Sequence, residues 1–466
     1  MAKLVITRRQ MLRFGSTAMF GALVAACGAT PTAAPTPTTA AVAATEAPTQ
    51  AQPTAAPTPV AASKQPAHIT YMMWDNGALM NDNEKKRVDM FNQSQADFVC
   101  EAIIVPWGDM FTKLKVQGAS GGMPDTVGYD FPMDAMIFQG WFKDVRPYVE
   151  KEPKFLDDKT YDQNYWKPAQ EFGDQRLFQM PNGANDTLLY YNADVFNSAA
   201  VNPPTDELTW DDFLALGKQL TKTEGDKTTQ FGISLAWLKH WIIMPSLFKA
   251  YGGDIVDNHQ KPTKCSMDDP TVVEKIQLLQ DMIFKDKVAP SPAESQVLSE
   301  QGGEFASGKV ALYVSGDWDI GILQSMENFK WDIARLPKGP KGRPSPMWSV
   351  GISLSSQSKT PDAAWAWLKW TCEEAAQNYW ASTGYAIPWL RNARSVKPTI
   401  RVPEHYQIRM DTLDDVYVAH VFHPKWQEVL DKIWNPEFDK LWLNQEDAKQ
   451  LVVNICPKIT ETVQSA

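Results

Sequence analysis

The stretch Gln179-Met-Pro-Asn-Gly-Ala-Asn-Asp-Thr-Leu-Leu-Tyr-Tyr-Asn192 decides how the rest of the chain is read. Pro181 and Gly183 interrupt regular structure in its first half, and residues 187–191 form a compact β-type run. The pattern predicts a strand that crosses between two lobes, with a bend at residues 181–184 acting as the few positions that absorb a backbone rotation. An ordinary loop feeding a buried strand has the same local pattern, so the elements on either side must decide.

Upstream, residues 68–74 read as a first strand that ends in Trp74-Asp75-Asn76-Gly77. A polar helix follows, then an alternating strand over 98–105, a short helix over 107–117, and a third strand that ends at Tyr129-Asp130. Strand and helix in alternation define an α/β fold with a parallel sheet covered on both faces. Ligands in such sheets sit at the carboxyl ends of the strands. Here those ends are Trp74-Asp75-Asn76 and Tyr129-Asp130.

Downstream, Thr209 is placed to cap a helix whose first turn carries Asp211 and Asp212, with Phe213, Leu216 and Leu220 on one face. Residues 231–238 read as a strand with Trp237, His240 and Trp241 at its end. Asp269-Pro270 opens another helix. A strand over 309–314 leads to Gly316-Asp317-Trp318, and a helix over 363–380 ends before Gly384. Residues 424–463 read as two or three helices.

At 466 residues the chain exceeds what one hydrophobic core organises. The formal charge of −10 argues against nucleic acid or an anionic membrane face as partner, since both attract basic surfaces. The N-terminus carries Arg8-Arg9 in a twin-arginine pattern, and an apolar run from Phe14 to Ala26. That run is shorter than the ~20 residues of a membrane-spanning helix and reads as the core of a signal peptide over residues 1–26. It ends Leu23-Val24-Ala25-Ala26-Cys27, a lipobox pattern with Cys27 as the lipidated residue. Residues 28–66 are dominated by Ala, Thr and Pro and read as a disordered tether.

Catalytic constellations are weak. His420 and His423 have metal-like spacing without a third ligand, and Asp317 and Asp319 alternate as an exposed acidic pair would. There is no GxSxG, HExxH, phosphate-cradling or dinucleotide fingerprint, so no metal or cofactor is expected. The 18 tryptophans carry more information. Trp365, Trp367 and Trp370 fall inside a helix and read as core. Trp74, Trp237, Trp241, Trp318, Trp348 and Trp426 fall at strand ends or loops beside polar residues. Aromatic faces interspersed with Asp and Asn suit a sugar, whose C–H face packs on a ring while its hydroxyls take placed polar partners.

From Ala67 onward the chain resembles family 1 extracellular solute-binding proteins of ABC importers, the maltose-binding-protein-like group. The matching pieces are Met123-Pro124-Asp125, Leu188-Leu189-Tyr190-Tyr191-Asn192, Thr209-Trp210-Asp211-Asp212-Phe213, Gly252-Gly253, the run from Phe305 to Trp318, Thr360-Pro361-Asp362-Ala363-Ala364-Trp365 and Gly384-Tyr385-Ala386-Ile387-Pro388. The resemblance implies a two-lobed periplasmic-binding-protein fold of type II with three inter-lobe crossings. Lobe I would comprise residues 67–182 plus 350–410, and lobe II residues 183–346 plus 413–466. It implies a monomer without catalysis, held outside the cytoplasmic membrane by its lipid anchor alone. Such a protein passes a carbohydrate to the transmembrane subunits of a permease. The implied ligand residues are Trp74, Asp75, Asn76, Tyr129, Asp130, Asn185, Trp237 or Trp241, Trp318, Trp348, Tyr385 and Trp426. Asn185 stands where the maltose-binding protein has an acid. Binding of a non-sugar solute and glycoside hydrolysis are the alternatives; the first would want Lys or Arg in the cleft for a phosphate, the second two converging carboxylates. Cys100, Cys265, Cys372 and Cys456 show no framework spacing and are expected as free buried thiols; a Cys100–Cys372 or Cys265–Cys456 bridge would lie within one lobe.

Overall fold

The computed structural model describes residues 65–130, 133–165 and 176–465, with the side chains of 348–350 excepted. The signal peptide, Cys27 and the tether read from the sequence lie outside the described residues.

The strands, in chain order, are β1 (Ala67–Trp74), β2 (Phe98–Val105), β3 (Thr126–Tyr129), β4 (Met180–Asn185), β5 (Thr187–Asn192), β6 (Lys222–Glu224), β7 (Lys227–Ser234), β8 (Val310–Gly316), β9 (Trp331–Ala334), β10 (Ser345–Leu354), β11 (Ile387–Pro388) and β12 (Val416–Val418). They form two sheets. The first runs β11-β4-β10-β3-β1-β2, with β12 on β10; the second runs β6-β7-β8-β5-β9.

In the first sheet β1 pairs in parallel with both β2 and β3, as crossover helices demand. Those helices are α1 (Ala78–Ser94) and α2 (Trp107–Ser120). α1 buries Met80, Glu84, Arg87, Val88 and Phe91, a helical stripe. The charge of Arg87 is admitted because Glu84 pairs with it at 2.8 Å and its guanidinium lies over the Trp380 ring at 4.6 Å.

The second sheet packs α3 (Trp210–Leu220), α4 (Pro270–Phe284) and α5 (Trp318–Leu323). Thr209 and Asp212 form a reciprocal capping box at α3, and the Asp269 side chain caps α4. The strand read over 231–238 is β7, ending at Ser234. The single helix read over 363–380 is two, α6 (Pro361–Thr371) and α7 (Glu374–Ser382). The ladder breaks because the Thr371 carbonyl accepts from the Gln377 side chain and the Cys372 carbonyl from the Tyr161 hydroxyl.

The crossing segment differs from its reading in one respect. β4 belongs wholly to the first sheet and β5 to the second, with Asp186 alone between them. The bend is therefore at Asp186, not at 181–184. Pro181 and Gly183 are tolerated inside the sheet: Pro181 faces the register shift at Val350/Gly351, where its missing N–H is not needed. Gly183 lets β11 approach, since a Cβ there would sit 2.7 Å from the Ile387 carbonyl oxygen.

The chain returns to the first sheet between β9 and β10, and β12 also pairs there. Ala419 and Val421 then join the second lobe's core together with α8 (Ala448–Gln464). Cys265 and Cys456 form a disulfide that ties α8 to the loop before α4, which overturns the expectation of free thiols for this pair. Cys100 and Cys372 are free and buried.

Candidate functional site

A cavity of about 470 Å³ opens where strand ends of both sheets meet, within the range of small-molecule sites. From the first lobe it is lined by Trp74, Asp75, Asn76 and Gly77 after β1, Trp107 at the start of α2, and Tyr129 and Asp130 at the end of β3. The second lobe contributes Trp237, His240 and Ile242 after β7, and Trp318, Gly321 and Ile322 of α5. Met80 of α1, Asn185, the last residue of β4, and Tyr385 complete it.

Each ring is held by a specific local cause. The Trp74 Nε1 donates to Asn76 Oδ1 at 2.8 Å, and Asn76 Nδ2 donates to the Tyr385 hydroxyl at 3.5 Å. Trp107 is 44% exposed and donates from Nε1 to Asp130 Oδ2 at 2.9 Å. Tyr129 donates to Asp134. Trp318 folds back over Gly316, where any Cβ would overlap its ring, and packs edge to face on Trp237.

Asp75 Oδ1 accepts from the Gly77 N–H and from Asn81 Nδ2, both at 2.7 Å. The Asn81 bond is the first cause of its lowered pKa. That is the reverse of what a general acid requires. Burial pushes the His240 imidazole down to about 4, so it is neutral near pH 7. Its Nδ1 accepts from the Ile242 N–H at 3.4 Å, leaving the proton on Nε2. The lining holds neither Lys nor Arg.

The structure thus brings Trp74, Asp75, Asn76, Tyr129, Asp130, Asn185, Trp237, Trp318 and Tyr385 to one cavity. Trp241 and Trp426 are not brought there. Both are buried in the second lobe's core, against each other at 6.1 Å between centroids, because the turn after β7 sends Trp237 outward and Trp241 inward. Trp348 pairs with Asn185 through its backbone; its side chain lies outside the described residues. Trp107 and His240 escaped the assignment, although Trp107 follows the end of β2 just as Trp74 ends β1. His420 is buried beside Tyr129 and Phe422, and no group of three metal-ligating side chains occurs among the described residues.

Residues 100–378 match the family model of the bacterial extracellular solute-binding proteins, and the chain belongs to that family. It is 23% identical over 381 residues to the arabinooligosaccharide-binding protein of Bacillus subtilis, covering 75% of this chain and 81% of that one. It is 23% identical over 263 residues to the galactooligosaccharide-binding protein of the same organism, covering 54% of this chain and 56% of that one. The fold is similar, at a TM-score of 0.75 and 22% identity, to an ABC substrate-binding protein from Listeria monocytogenes solved in complex with cycloalternan. That match covers 86% of this chain and 99% of the other, and it establishes the mixed α/β fold of type II periplasmic-binding proteins.

Proposed function

We propose that this chain is the carbohydrate-binding component of an ABC importer. It captures a neutral sugar or oligosaccharide between its lobes and delivers it to the permease subunits, from a position fixed by a lipid on Cys27 at the outer face of the cytoplasmic membrane. The observation that carries this reading is the composition of the cavity: the indoles of Trp74, Trp107, Trp237 and Trp318 beside Asp75, Asn76, Asp130 and Asn185, with no Lys or Arg. Stacked rings bind the apolar face of a pyranose or furanose, and the carboxylates and amides bind its hydroxyls. An anionic phosphate would meet two carboxylates and no cation. The relatives named for arabino- and galactooligosaccharides support the same class. The division of the strands, β1–β4 and β10–β12 in one sheet and β5–β9 in the other, supports a two-lobed reading.

Calorimetric titration with maltotriose, mannotriose, arabinotriose and galactose oligomers, beside glycerol 3-phosphate, tests it. We expect a neutral oligosaccharide to bind and the phosphate to be silent. Binding of the phosphate with every sugar silent would overturn the assignment.

A further inference from the structure

Asn185 borders the cavity yet is only 4% exposed. Its amide nitrogen Nδ2 donates to Asp317 Oδ1. The other oxygen of Asp317, Oδ2, accepts from Arg409 Nη2. Arg409 also donates to Asp186 Oδ1, from Nε at 3.1 Å and Nη2 at 2.8 Å. Its Nη1 is taken by the Gly384 carbonyl at 3.1 Å and the Tyr406 hydroxyl at 2.9 Å. The Asp317 N–H donates to the Asp186 carbonyl at 3.1 Å. Asp186, Asp317 and Arg409 are essentially inaccessible.

This arrangement leaves little choice of polarity. A guanidinium has five donors and no acceptor, so the Asp317 oxygen facing it must accept. Burial pushes the Asp317 carboxyl well above its ordinary range, and the Arg409 guanidinium opposes that shift. As the carboxylate that pairs with Arg409, Asp317 offers its second oxygen, Oδ1, as an acceptor to Asn185, and the amide answers with its NH2 group. An inverted amide would set oxygen against oxygen in a buried site. No donor to Asn185 Oδ1 is found among the described residues, and Asn185 is part of the wall of the cavity.

We propose that the Asp186–Arg409–Asp317 cluster is a positioning device that locks Asn185 with its carbonyl oxygen toward the cavity, as an acceptor for a ligand hydroxyl. The word ligand here rests on the function proposed above. Arg409 and Asp317 do not touch the ligand; they set what Asn185 shows it. A site built this way selects a ligand group that donates and rejects one that only accepts, such as an ether or methylated hydroxyl. One substitution inverts the device. In Asp317→Asn the new carbonyl must face Arg409, so its NH2 faces Asn185, whose own NH2 then turns to the cavity.

The first test needs no sugar. In 15N-labelled protein, the Asn185 side-chain NH2 resonance is assigned by its loss in Asn185→Ala, and its exchange with solvent is measured. We expect slow exchange in the wild type and fast exchange in a folded Asp317→Asn variant. Fast exchange in the wild type overturns the proposal whether or not the variant folds. The second test is a double-mutant cycle read with the tightest of maltotriose, mannotriose and arabinotriose. Asp317→Asn should weaken it about tenfold, the scale of one hydrogen bond, but add nothing to Asn185→Ala. Additive losses would mean that Asp317 acts on the fold and not through Asn185. A slow-exchanging amide in a protein that binds none of the sugars would retain the device and refute the function.

Discussion

Trp237 and Trp318 meet edge to face, with ring centroids 5.0 Å apart and planes at 62°. They reach this contact from separate loops because β7 and β8 are parallel neighbours, so their carboxyl ends open on the same edge of the sheet. Trp237 also meets the His240 ring at 5.4 Å. The result is one aromatic corner, held by packing before any ligand arrives, with the neutral imidazole beside it.

Removing half of that corner should cost binding more than stability. Trp318→Ala is expected to weaken sugar binding by about 2 kcal/mol, as for a central aromatic anchor, or roughly thirtyfold in Kd. Because the two rings touch, Trp237→Ala combined with Trp318→Ala should lose less than the sum of the single losses. Titration calorimetry on the three variants checks both statements; an unchanged Kd for Trp318→Ala removes it from the site.

Gly316→Ala should act on the same ring from behind. The added methyl would overlap the Trp318 indole, which must swing away toward the cavity. Thermal unfolding should remain cooperative while affinity falls about as far as in Trp318→Ala, within a factor of a few. Full affinity in this variant would mean that the ring does not need its seat over Gly316.

The sequence carried the fold further than it carried the site. Alternation of strand and helix placed β1, β2 and β3 in one parallel sheet, and the strand-end rule reached Trp74, Tyr129 and Trp318. It did not reach Trp107, because a tryptophan at the first position of a helix reads as helix. It could not separate Trp237 from Trp241, because the direction a side chain takes in a turn depends on packing that local pattern does not encode. The bend was placed at Pro181 and Gly183 because those residues break isolated elements. In the sheet a bulge and a close strand absorb both, and the switch fell to Asp186. Arg409, which closes the buried cluster, lies 223 residues from Asp186, and no local signal links them.

The disulfide gives a test independent of ligand. Cys265 and Cys456 are 191 residues apart in sequence, so the bridge constrains a large loop of the unfolded chain. Cys265→Ser with Cys456→Ser should lower stability by about 2–5 kcal/mol, measured by denaturant unfolding. Sugar affinity should stay at the wild-type value, because the bridge joins α8 to the loop before α4 and neither cysteine lines the cavity. A stability unchanged by the double substitution would show that the bond does not form.

Stability should respond to pH through two opposed sets of groups. Burial lowers His240 to about 4 and His420 to about 3, both from 6.5. Their contribution is present above pH 6.5 and is lost as pH falls toward 4, where the unfolded chain takes protons that the folded one refuses. Asp319 works the other way. Burial, opposed only in part by the hydroxyls of Ser315 and Tyr313, raises its carboxyl from 3.8 to about 6. Its contribution is present below pH 3.8 and is lost as pH rises through 6, because the folded state then buries a charge. Asp319→Asn removes that second term. Denaturant unfolding should therefore find the variant more stable than wild type at pH 7.5, by up to about 3 kcal/mol, with the gap narrowed to about 1 kcal/mol at pH 4.5. The variant should also lose stability more steeply than wild type between those values, since one of the buried carboxyls that offset the histidines is then gone. A gap of equal size at both pH values would mean that Asp319 does not titrate in this range, and that its burial is compensated by partners beyond the two hydroxyls.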